Sequence, residues 1–193
     1  MDPTVTKLRL VNVWRNLGAY LSKFGLYEEA LGIAEDPVEL CRKLEQTDPT
    51  FTKDLAISLH NLGVYLNAVG RHEDAAHADK EAAAIRRKLA EMDPTVTKDL
   101  ASSLHNLSVD FSKVGRYPDA LRVAKEAVEL YRKLEETDPT VTENLARALH
   151  NLGLYFTAVD RHEDAVHAEE EAARIRRKLQ VPEMDSTSVI VSG

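Results

Sequence analysis

The sequence predicts an all-α solenoid of four stacked helix hairpins, and three observations predict it. The first is a repeat. Asp-Pro-Thr begins at Asp2, Asp48, Asp93 and Asp138. Asn-Leu-Gly (Asn-Leu-Ser in one copy) begins at Asn16, Asn61, Asn106 and Asn151, and Arg-Lys-Leu at Arg42, Arg87, Arg132 and Arg177, each at a step of 45 residues. A fixed period of that size marks units that bury their apolar faces only by stacking. The second is composition: Ala, Leu, Glu, Lys and Arg dominate, and only 8 Gly and 7 Pro punctuate 193 residues, which favours helix over sheet. The third is apolar spacing within each repeat, which follows the helical period twice, with a turn signal between.

Repeat 2 (residues 48–92) shows the pattern most plainly. Asp48 caps the first helix, and Pro49 takes its first position, where a missing N–H costs nothing. Leu55, Leu59, Leu62, Leu66 and Val69 then form one face. Gly70 supplies the positive φ of the turn. The second helix carries Ala75, Ala78, Ala82, Ile85 and Leu89 on one face, with Glu73-Asp74 and Arg86-Arg87-Lys88 matching the helix dipole at its two ends. The next Asp-Pro ends it.

The other repeats follow with local exceptions. Repeat 1 (residues 2–47) has one extra residue between Asp-Pro-Thr and Asn16. Its first helix is rich in apolar side chains: Leu8, Leu10, Val11, Val13 and Trp14. Solenoid ends carry polar caps, so this surface is expected to pack on a preceding domain of a longer parent protein or on a second copy of the chain. Pro37 stands where the other repeats have Ala82, Ala127 and Ala172, which predicts a kink or break at Glu35–Pro37 with Asp36 capping a restarted helix. Repeats 3 (93–137) and 4 (138–181) resemble repeats 1 and 2 in turn, as a duplicated 90-residue unit would. Ser108 replaces a packing glycine, and Asp160 replaces the turn glycine, a position aspartate tolerates. Residues 1–181 thus read as one repeat domain. Pro182 is expected to end the last helix near Gln180, leaving residues 182–193 as a flexible tail with a decayed fifth start.

The arrangement resembles the tetratricopeptide repeat family. Leu62-Gly63, Gly70, Ala75 and Ala82 carry the likeness in repeat 2; Trp14, Leu17-Gly18, Gly25, Tyr27 and Ala30 carry it in repeat 1. The standard repeat has about 34 residues. The 45-residue length and the Leu-His-Asn-Leu-Gly phrasing look most like kinesin light chains, and similar arrays are appended to nucleotide-binding regulatory ATPases. The resemblance implies a right-handed superhelix of eight helices and a protein-binding scaffold without catalytic, cofactor or metal site.

Composition excludes several other functions. A formal charge of −7 argues against nucleic acid and anionic membrane as partners. One cysteine, Cys41, allows no intramolecular disulfide; it aligns with Arg86 and Tyr131, which suggests partial exposure, and a reducing, cytoplasmic setting fits it. No apolar run approaches the roughly 20 residues of a membrane span. His72-Glu-Asp-Ala-Ala-His77 imitates a zinc-protease motif, but its histidines are five apart, not four, and so diverge on a helix. His72 and His162 fill the slot of Tyr27 and Tyr117 and are expected to be half-buried packing residues. The basic clusters at helix ends read as solvated, dipole-matched faces.

A second stripe on the first helices is the candidate site. Opposite the leucines it carries His60, Asn61 and Val64 in repeat 2, His105, Asn106 and Val109 in repeat 3, and His150, Asn151 and Leu154 in repeat 4; Arg15, Asn16 and Ala19 are the equivalents in repeat 1. Asparagine both donates to and accepts from a peptide backbone regardless of sequence. In the family it resembles, asparagines here contact a bound peptide on the concave face. They could equally bond to neighbouring repeats and hold the curvature. The apolar Val64 and Val109 occupy slots where a carboxylate-clamping subclass needs polar groups, which argues against capture of a chain terminus. The function expected is a protein or peptide scaffold; the alternative is self-assembly, or regulation of an attached nucleotide-binding protein.

Overall fold

The computed structural model describes residues 3–180. Among the described residues there are eight α-helices and no strand: α1 (Pro3–Lys23), α2 (Tyr27–Glu45), α3 (Thr52–Ala68), α4 (His72–Met92), α5 (Thr97–Lys113), α6 (Tyr117–Glu135), α7 (Thr142–Ala158) and α8 (His162–Gln180). Each helix packs against the next in order, so the hairpins stack as a solenoid. Neighbouring first helices also touch, α1 with α3 and α5 with α7, whereas the second helices stay further apart. In a curved stack the layer whose members approach more closely is the inner one. The odd-numbered helices therefore line the inside of the curve.

Two local devices fix the repeat. The aspartates of the Asp-Pro-Thr turns at Asp48, Asp93 and Asp138 each accept a hydrogen bond from the backbone N–H of the threonine two residues on, at 3.0 Å. The proline then opens a short 3-10 turn that feeds the long helix. The hydroxyl of the same threonine, which also donates to each carboxylate, and then the backbone N–H hold the three carboxyl groups below their ordinary range, with Lys98 adding to the effect at Asp138. At the other end of each first helix the chain reverses through a left-handed residue: Gly25, Gly70, Gly115 and, at φ 59°, Asp160. The residue after it returns its N–H to the carbonyl five back, as Arg71 does to Leu66, which closes the orphaned helix end.

Three expectations are corrected. The break at Glu35–Pro37 is absent: α2 runs unbroken through Pro37, and Asp36 caps no restart. Pro37 is buried in the slot of the fully buried Ala82, Ala127 and Ala172, and lines a small cleft with Trp14, Gly18 and Tyr65. Packing against α1 and α3 holds the helix across the one bond that proline forfeits. Cys41 is fully buried rather than partly exposed, because its register faces α3, where it packs with Val11, Leu55 and Leu59. Burial pushes its thiol pKa up, so the thiolate is disfavoured. His72 is half-buried, with Nδ1 2.9 Å from Asn67 Oδ1, but His162 is exposed; Thr157 stands there in the slot of Asn67. The expectations for the tail, residues 182–193, lie outside the described residues.

Candidate functional site

The asparagine register is built as the repeat demands. Asn16, Asn61, Asn106 and Asn151 each stand one residue before a leucine on the inner layer of helices; Leu107 and Leu152 are buried, Leu62 is half-buried and Leu17 is exposed. Asn16 is exposed and the other three are half-buried. None of the four side chains makes a hydrogen bond among the described residues. They do not tie one repeat to the next. Beside them, Val64 and Leu154 are exposed apolar side chains, and Val109 is half-buried.

The histidines of the same stripe behave differently. His60 Nδ1 lies 3.3 Å from Asp79 Oδ1, and His150 Nδ1 lies 2.9 Å from a Glu169 oxygen, so both turn toward the second helix of their own hairpin. His105 is buried, at 8% exposure, and has little surface to offer a partner. Burial lowers the pKa of His60 and His105 to about 4, so both are neutral at pH 7. Arg15 is held by Asp54 of the next repeat at 2.8 Å. The asparagines thus share one register with Val64, Val109 and Leu154, while His60 and His150 turn to their own hairpins and His105 is buried.

A polar joint between repeats 2 and 3 was not anticipated. Asp79 on α4 and Asp110 on α5 are both fully buried. Asn67 donates its amide to Asp110, and its carbonyl accepts from Lys113 Nζ at 3.0 Å. Burial raises both carboxyl pKa values to about 7, and the two groups influence each other's titration. Arg86 is also buried, bonded to the Ser103 hydroxyl and the Asp99 carbonyl; only Arg87 and Lys88 of its cluster are solvated. Internal alignment carries the signal: Asp110 takes the slot of Tyr20, Tyr65 and Tyr155, and Asp79 that of Ala34, Ala124 and Glu169. The two exceptions face each other.

Among the described residues no group of three His, Cys, Asp or Glu side chains could hold a metal ion. No helix there is long and apolar enough to cross a membrane.

The family model described as tetratricopeptide repeat matches residues 55–91, 100–139 and 145–179. No curated protein sequence matches the chain. Among solved structures, BtubC (BKLC) from P. vanneervenii superposes with a TM-score of 0.76 at 20% identity, covering 100% of this chain and 73% of that one. A protein from Podosopora anserina with nearly identical TPR-like repeats, named for kinesin light chain, gives 0.67 at 19% identity over 89% of this chain and 77% of that one. The apo form of RapI gives 0.75 at 12% identity, with 93% and 58% covered. At these identities the likeness is one of fold.

Proposed function

This chain belongs to the tetratricopeptide repeat family, a non-enzymatic protein-interaction scaffold, and from that premise we propose that it binds an extended peptide segment of a partner along its inner layer of helices. The observation that carries the reading is the set of four register-matched asparagine amides without a partner among the described residues. Asn61, Asn106 and Asn151 are half-buried and Asn16 is exposed, so water serves these amides until a ligand that supplies the same hydrogen bonds displaces it. Four at one step present donors and acceptors in a row, and a peptide backbone supplies both. Exposed Val64 and Leu154, with Val109 between them, offer apolar contact to alternate ligand side chains. Val64 and Val109 fill slots where a clamp on a terminal carboxylate would need polar groups, which favours an internal segment of the partner.

The test is a peptide array probed with the wild-type chain and with Asn61→Ala plus Asn106→Ala. Binding is expected to fall at least tenfold in the double variant, the loss of about two hydrogen bonds. Unchanged binding by a variant with an intact thermal transition would refute the reading.

A further inference from the structure

Every internal joint of the stack follows one register. In α3 the residues covered by the preceding hairpin are Leu55, Ser58, Leu62, Tyr65 and Val69, all buried or half-buried. Tyr65 fits over Gly18, where a Cβ would stand 2.9 Å from its hydroxyl, and beside Ser22. In α7, Tyr155 meets Ser108 and Ser112, the same two slots two joints later. Along the second helices a ladder of ion pairs repeats with a 39-residue offset: Arg42–Glu81 at 2.6 Å, Arg87–Glu126 at 2.8 Å and Arg132–Glu171 at 2.6 Å.

The two ends of the stack carry the unmatched halves of this joint. In α1 the covered register is Leu10, Val13, Leu17, Tyr20 and Phe24, and all five are exposed, Tyr20 at 62% and Phe24 at 79%. Val11, part of the apolar surface read from the sequence, is instead buried in a core cluster with Val38 and Cys41 of its own hairpin and Leu55 and Leu59 of the next. At the far end the slots of Gly18 and Ser22 are filled by Gly153 and Thr157; the side chain of Glu169, from the same hairpin, lies over Gly153, 2.9 Å from where a Cβ would stand, and no tyrosine does. Val166 and Ala173 lie exposed on α8 in the slots of Ala76 and Ala83, which pack against α5. The ladder is open at both ends. Arg177, exposed, bonds only to the carbonyl of Ala173 in its own helix, and exposed Asp36 occupies the slot of Glu81.

We propose that the exposed face of α1 docks onto the α8 end of a second copy of this chain, head to tail, in the register of the internal joints. Tyr20 then settles beside Thr157 and takes the place over Gly153 from the partly exposed Glu169 side chain, which swings aside; Phe24 and Val13 leave water, and Asp36 meets Arg177 as the fourth rung of the ladder. The face is apolar, its counterpart matches it in size and hydroxyl placement, and the terminal charges are complementary. One contact is poorer than inside the chain. Arg9 takes the slot of Asp99, opposite Arg176, and Val13 that of Ser103, so the bonds that Arg86 makes are not all reproduced. The joint between copies is therefore weaker than the joints within one, and association is reversible. A head-to-tail contact is heterologous and does not close on itself at two copies.

Sedimentation velocity on the full chain tests this. The mean mass is expected to rise with concentration past that of a dimer. Phe24→Asp, at a position too exposed to unfold the helix, is expected to abolish the rise. Asp36→Arg alone and Arg177→Asp alone each weaken association on the order of threefold to tenfold, as for exposed charges. Mixing those two variants restores it, because each new end then faces its complement. Asn61→Ala plus Asn106→Ala leaves it unchanged, which separates this joint from the inner groove. A strict monomer at millimolar concentration overturns the proposal, whether residues 181–193, a preceding hairpin or nothing at all covers the face. So does a dimer whose stability ignores both charge reversals.

Discussion

Asp79 and Asp110 show how a single pair can set the pH response of a repeat array. A buried carboxyl with a raised pKa favours the protonated, folded state. Stability from this pair is fully present below the ordinary carboxylate range and is lost as pH rises toward about 7. His60 and His105 act oppositely: neutral in the fold, they hold their stability above pH 6.5 and lose it as pH falls toward about 4. His60, Asn67, Arg86, Asp99 and Lys113 are the polar groups around the pair. Asp110→Asn removes the alkaline arm. In urea titrations the variant should exceed wild type by on the order of 1–2 kcal/mol at pH 8 and match it near pH 4. Equal curves at both pH values would show that the pair is solvated. The same residues mark a limit of sequence reading. A charged side chain on a helix reads as solvated, and only its partner across the joint reveals otherwise; Arg86 was legible as a helix-end cation but not as a buried one. Cys41 was misplaced through the same arginine, with which it aligns.

At the scale of an element, α2 holds a proline at a fully buried position and remains one helix. Helix propensity sets the cost of an interior proline at about 3 kcal/mol. The two extra methylenes that Pro37 buries relative to alanine return about 0.8 kcal/mol each. Pro37→Ala, which copies the other three repeats, should therefore stabilise the chain by about 1 kcal/mol, read as a higher urea midpoint with unchanged slope. A loss of stability would mean that the ring fills space alanine cannot close. Turn and cap residues were fully legible here, because their chemistry is local: an aspartate accepts from an N–H two residues away, and a left-handed residue ends a helix. The fate of Pro37 was not legible, because helices on both sides decide it. The apolar face of α1 was legible only in part. Leu10 and Val13 of the apolar set read from the sequence are exposed, Val11 is buried, and Tyr20 and Phe24, the most exposed of the face, were not singled out.

The whole molecule is uneven along its length. One continuous core joins α4 to α8, from Ala76 to Ile175, while the first two repeats hold two smaller clusters. The polar joint, Pro37 and the uncovered α1 face all lie toward the N-terminal side. In a stack each unit gains stability only from its neighbours. Hydrogen–deuterium exchange should therefore protect the amides of α5–α7 more than those of α1 and α2, with the step near the joint of repeats 2 and 3. Uniform protection would indicate that the array opens as one unit. The period of 45 residues made the fold readable from the sequence at once. The same copying masked the site, since repetition alone also preserves asparagines; only their lack of partners in the folded chain argues for a ligand.

The Arg–Glu rungs have a mechanical consequence. They bridge the outer layer of helices, whereas the candidate groove lies on the inner one. Bending the stack to narrow the groove spreads the outer layer and stretches the rungs; flattening it relaxes them. The three pairs thus act as a tension member along the back of a spring, and a grip on a bound segment tightens only as far as they extend. Dissolved salt, by screening them, softens that spring without touching a residue of the groove.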